Sequence, residues 1–120
     1  MDGLTIQAVD AAMNIGLPHD AAVMLMVESD AGGAAALAGL DQVEAACRAA
    51  GASDLLRAQD VTEADWLRAA RRQAHPSLDR LGGARMDDVG VPRARVADLL
   101  EAIERIGTDA HMRIGVWARR

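Results

Sequence analysis

Val96, Leu99, Leu100, Ile103 and Ile106 recur at helical spacing and form one apolar stripe, with Asp98, Glu101, Glu104 and Arg105 on the other faces. This pattern predicts a helix from Arg93 to Ile106, stopped by Gly107 in a left-handed turn. Short apolar runs flank it, at 86–92 and 112–117, and both read as strands. Ala21 to Glu28 is apolar without a break and reads as a central strand. Leu55 to Gln59 is a poorer strand, placed by its order along the chain.

Three further helices complete the pattern. Asp2 caps the first, which runs to Gly16 with Leu4, Ala8, Ala12 and Met13 inward. Ala34 to Ala50 turns Leu37, Leu40, Val43 and Cys47 inward and ends at Gly51. Thr62, with Asp65 three residues on, opens a helix that runs to His75, where Pro76 ends or kinks it. Ser77 to Leu81 reads as one more helical turn. The order is helix, β-α-β, helix, β-α-β. That order predicts an α+β ferredoxin-like sandwich: an antiparallel sheet of about four strands with helices on one face. The strand at 112–117 would be an apolar edge, which predicts a homodimer through that edge or a missing partner domain.

Composition narrows the partners. The net charge of −5 argues against nucleic acid, which calls for a basic excess. No apolar run approaches the roughly 20 residues of a membrane span. No basic-then-apolar leader opens the chain, and the single Cys47 cannot form an internal disulfide; both suit the cytoplasm. Cys47 reads as an inert core residue. All 13 basic residues are arginine, and there is no Phe or Tyr, so the core rests on Leu, Ile, Val, Met and Ala.

One group stands out chemically. Arg68, Arg71, Arg72 and His75 lie on the fourth predicted element. Arg68 and Arg72 share one face at a spacing of four, as do Arg71 and His75. Guanidinium groups bind carboxylates in a bidentate fork, so this face suits a small acid; the bland alternative is a solvated basic surface. His19, His75 and His111 show no ligand-like spacing, so no metal site is expected. Gly32-Gly33 and Gly82-Gly83 are lone pairs that read as turns, and no nucleophile triad can be assembled from spacing. No catalytic residue is therefore assigned.

Several stretches resemble a known family. Val91-Pro92-Arg93 after an acidic strand, Leu99 to Glu104, and Arg113-Ile114-Gly115-Val116-Trp117 resemble the C-terminal (cap) domain of FAD-linked oxidases. That family includes the glycolate oxidase flavoprotein subunit and the D-lactate and D-2-hydroxyglutarate dehydrogenases. Met1 to Ile6 and Gly16-Leu17-Pro18 resemble the entry to the same domain. The resemblance implies one cap-like domain over 1–120, without the N-terminal FAD-binding domain and ending before the family's metal-binding histidine segment. It implies a fragment or stand-alone version of the substrate domain of an FAD-dependent 2-hydroxy-acid oxidoreductase, inactive alone. FAD would serve full-length relatives but not bind this chain, and a separate FAD-binding chain would be a natural partner. The run Leu67 to Ala74 is similar to the family segment whose arginine faces the substrate carboxylate, which puts that role on Arg71, with Arg72 beside it. The alternative is a dimeric ferredoxin-like module that binds a small acid or supports assembly without catalysis.

Overall fold

A computed structural model describes residues 1–118. Its helices are α1 (Gly3–Met13), α2 (Gly33–Ala49), α3 (Val61–Arg72), α4 (Ala74–Asp79) and α5 (Val96–Asp109), with a 3-10 turn at Arg93–Arg95 leading into α5. The chain divides into two units: residues 1–24 with those from 68 onward, and residues 25–67.

The ferredoxin-like antiparallel sheet is absent. Among the described residues the only β pairing is an isolated antiparallel bridge between Asp2 and Val23. The four segments read as strands, 21–28, 55–59, 86–92 and 112–117, form no ladder. Leu25 is 75% exposed and Leu56 78%, so the apolar runs are not covered as sheet strands would be. An apolar run favours an extended chain, but a strand also needs a partner at the correct register, and that partner is non-local. Without an edge strand at 112–117, a dimer built on that edge loses its basis.

In the first unit, Asp2 caps α1 as its sequence predicts: its Oδ1 accepts from the Thr5 N–H at 2.9 Å. The buried face is Thr5, Ile6, Ala8 and Val9. Ala8 is on the expected inward face; Ile6 and Val9 were missed, and Met13 is only partly buried against the core. Val9, Ala70 and Ala74 form the core cluster, with Met1, Met13, Ile15, Leu17 and Trp117 packed around it. The alanines let α1 approach α4 closely, and burying Val9 contributes about 2 kcal/mol.

The kink at Pro76 falls slightly upstream of its expected place. Proline clashes with the carbonyl four residues back, here Arg72, and α3 ends at that residue. Helix resumes at Ala74, which places Pro76 in the first turn of α4, where its missing N–H costs little.

Gly107 does not stop α5. The helix continues to Asp109, and His111 takes the left-handed conformation at φ 53°. The His111 N–H donates to the Thr108 carbonyl at 3.2 Å and the Met112 N–H to the Gly107 carbonyl at 2.8 Å, a Schellman closure. Gly107 is buried because the returning chain crosses it: an added Cβ would lie 3.1 Å from the Met112 carbonyl oxygen. A left-handed histidine is strained relative to glycine. His111→Gly is therefore expected to stabilise the fold by about 0.5–1 kcal/mol, read as a higher urea midpoint with unchanged slope.

In the second unit, α2 follows the predicted bounds within a residue but buries nothing fully; Leu37 is 57% exposed. Cys47 is half-buried. Arg48 pairs with Glu44 at 2.8 Å, and Arg57 with Asp41 at 2.6 Å. The start of α3 is capped by Asp60 rather than Thr62. Its Oδ1 accepts from the Glu63 N–H at 2.9 Å, while Glu63 reaches back to the Gln59 N–H at 2.7 Å.

Candidate carboxylate-binding face

The arginine-bearing stretch that the sequence singles out ends α3 and enters α4. Ala70 and Ala74 point into the core and are fully buried. That pins the helix rotation and sets Arg71 half-buried at the edge of the core, while Arg72 is exposed. Arg68 and His75 are half-buried. Among the described residues no carboxylate pairs with Arg71 or Arg72.

His75 lies beside Trp117, ring centroids 6.0 Å apart and tilted at 54°. Trp117 also packs on the Val9–Ala70–Ala74 cluster. Met1 packs on the same cluster. Its α-amino group donates to the Met24 carbonyl at 3.0 Å. Burial pushes the pKa of that amine down; the Asp2 carboxylate opposes the shift and the Arg71 charge reinforces it. A half-buried guanidinium at the core edge suits a small anion, which it grips in a bidentate fork.

The clamp that holds this edge together is one the sequence did not reveal. Asp2 caps α1 and also accepts from the Val116 N–H through Oδ2 at 2.9 Å, while its own N–H donates to the Val116 carbonyl at 2.9 Å. The cap is a local signal; the partner 114 residues away is not. The C-terminal segment is then seated by Gly115. An added Cβ there would stand 2.7 Å from both Leu78 methyls and 2.9 Å from the Thr5 hydroxyl.

Asp10 closes the turn after α1. Its Oδ1 accepts from the Leu17 N–H at 2.9 Å and the Ile15 N–H at 3.2 Å, and its Oδ2 lies 2.6 Å from His19 Nε2. The Leu17 bond foremost, then His19, hold the Asp10 carboxyl below the ordinary carboxylate value. A lowered folded-state pKa adds stability that is complete above the unfolded value, about 4, and is lost as pH falls through the folded one. In urea unfolding at pH 6 and pH 3, the gap between wild type and Asp10→Asn is expected to narrow at the lower pH.

His19, His75 and His111 do not meet, and no group of three or more His, Cys, Asp or Glu among the described residues could hold a metal ion. Among the described residues no helix is long and apolar enough to cross a membrane.

The sequence model described as "FAD linked oxidases, C-terminal domain" matches residues 1–118. The Glycolate oxidase subunit GlcD of Bacillus subtilis (strain 168) is 32% identical over 107 residues, covering 88% of this chain and 23% of its own length. The subunit of the same name from Escherichia coli (strain K12) is 30% identical over 115 residues, covering 95% of this chain and 23% of its own. The chain therefore spans about a quarter of the length of these curated relatives. No solved structure is significantly similar to it.

Proposed function

This chain belongs to the family of FAD linked oxidases, C-terminal domain, and from that membership we propose that it serves as the substrate-side part of an FAD-dependent 2-hydroxy-acid oxidoreductase and does not turn over substrate alone. The observation that carries the proposal is Arg71: a half-buried guanidinium at the core edge, with no carboxylate partner among the described residues. Arg71 grips the carboxylate of the acid, and exposed Arg72 adds attraction from the rim. Glycolate, the acid in the relatives' printed name, is the first substrate to test.

On this reading the described residues hold no flavin. The grooves along α5 mix Glu101, Glu104 and Asp109 with Arg105 and Arg113, and carry no excess of bases to hold a pyrophosphate. The Thr5 hydroxyl is buried without a partner, but Gly115 stands so close that one added methyl would already collide with it. The flavin belongs, on this reading, to another part of the oxidase, and this chain's work is to bind and orient the acid.

Flavin fluorescence tests the division of labour. Titrating FAD with the chain is expected to give no saturable quenching at micromolar concentration, and adding glycolate, D-lactate or D-2-hydroxyglutarate no flavin reduction. Saturable quenching with reduction by any of these acids would overturn the proposal.

A further inference from the structure

Arg71 and His75 each follow a fully buried alanine, Ala70 and Ala74, by one position. One step along a helix turns the chain by about 100°, so both side chains leave the core along the same edge. The junction between α3 and α4 keeps this register. Gln73 stays right-handed at φ −81° and ψ −5°. Its N–H donates to the Ala69 carbonyl at 3.1 Å, and its carbonyl accepts from the Ser77 N–H at 2.9 Å. Residues four apart on one helical face have Cβ atoms roughly 5–6 Å apart.

The half-buried His75 ring has a wall beside it and no polar partner. Trp117 is that wall, at a centroid distance of 6.0 Å. It follows Val116, whose N–H and carbonyl are both bonded to Asp2, so the wall is held in place. Neither ring nitrogen of His75 has a hydrogen-bond partner among the described residues. A neutral imidazole offers one donor and one acceptor, and a hydroxyl can meet either.

We propose that His75 determines specificity on this face: it takes the α-hydroxyl of the acid whose carboxylate Arg71 grips, so that 2-hydroxy acids are selected over plain carboxylates. The inference rests on the reading of Arg71 as the carboxylate grip. In a 2-hydroxy acid the hydroxyl is on the carbon next to the carboxylate, one short step from the guanidinium fork along the same edge. An acid without that hydroxyl is held by the fork alone and leaves His75 to water. One neutral hydrogen bond is worth about fivefold in affinity.

Titration of the isotopically labelled chain with glycolate and with acetate, followed by amide chemical shifts, tests this. Wild type is expected to bind glycolate about fivefold more tightly than acetate. His75→Phe keeps a ring against Trp117 and removes both nitrogens. It is expected to bind the two acids equally, at the wild-type affinity for acetate. His75→Leu gives the same comparison if phenylalanine disturbs the fold, which circular dichroism reads. His75→Gln, which can still hydrogen-bond, is expected to keep part of the preference. Equal binding of both acids by wild type, or an undiminished preference in His75→Phe and His75→Leu, would overturn the role of His75 and leave the Arg71 grip standing. A wild-type chain that binds neither acid would overturn both.

Discussion

Gly115→Ala is expected to destabilise the unit built from residues 1–24 and those from 68 onward by about 1–3 kcal/mol, through overpacking. The added methyl would enter space already held by Leu78 and the Thr5 hydroxyl, at 2.7 and 2.9 Å. Neither neighbour yields easily. Leu78 is only 9% exposed, and Thr5 is fully buried on α1. Both are on the helices that make the α1–α4 contact, so relief at one site disturbs the other. Gly90, where an added Cβ meets nothing within 4 Å, is the matched control, and Gly90→Ala is expected to be near neutral. Urea unfolding of the two variants reads the difference as a shift in midpoint.

Asp2→Ala is expected to cost about 2–3 kcal/mol, because two interactions fail together. The α1 cap is lost at the Thr5 N–H, and the Val116 N–H loses its acceptor in a part-buried setting. Asp2→Asn separates the two. Its amide oxygen still caps α1, but the amide nitrogen then faces the Val116 N–H, donor against donor. About half of the loss should return with asparagine. Since Val116 adjoins Trp117, Asp2→Ala is also expected to raise the solvent exposure of Trp117, seen as red-shifted tryptophan emission.

Local signals carried the helices. Asp2, Gly51 and the α5 periodicity each act within a few residues, and each helix formed close to its expected bounds. Where a helix end depended on distant chain, the sequence misled. Gly107 reads as a stop, yet it is a seat for Met112 and Ile114, which approach from beyond the helix end. The strands failed for a stronger form of the same reason. Ala21 to Glu28 has the composition of a central strand, but its composition cannot supply the neighbour it would pair with: Val23 and Met24 meet Asp2 and Met1, and Ala21 bonds back to Pro18 in a local turn.

The candidate site was legible in part. Arg71 and His75 at a spacing of four announced a shared face; that Ala70 and Ala74 form the buried side came only with the structure. The family resemblance named Arg71, and the family itself is borne out by the match over 1–118. Nothing local could show that Met1 and Trp117, at opposite ends of the sequence, pack on the same core cluster as that face.

The most direct test of the central claim is a glycolate titration of the isotopically labelled chain, followed by amide chemical shifts. A saturable response is expected at millimolar concentration, centred on residues 70–75, Met1 and Trp117, and absent in Arg71→Ala. A response elsewhere, no response, or one that survives Arg71→Ala unchanged would contradict a carboxylate grip at Arg71.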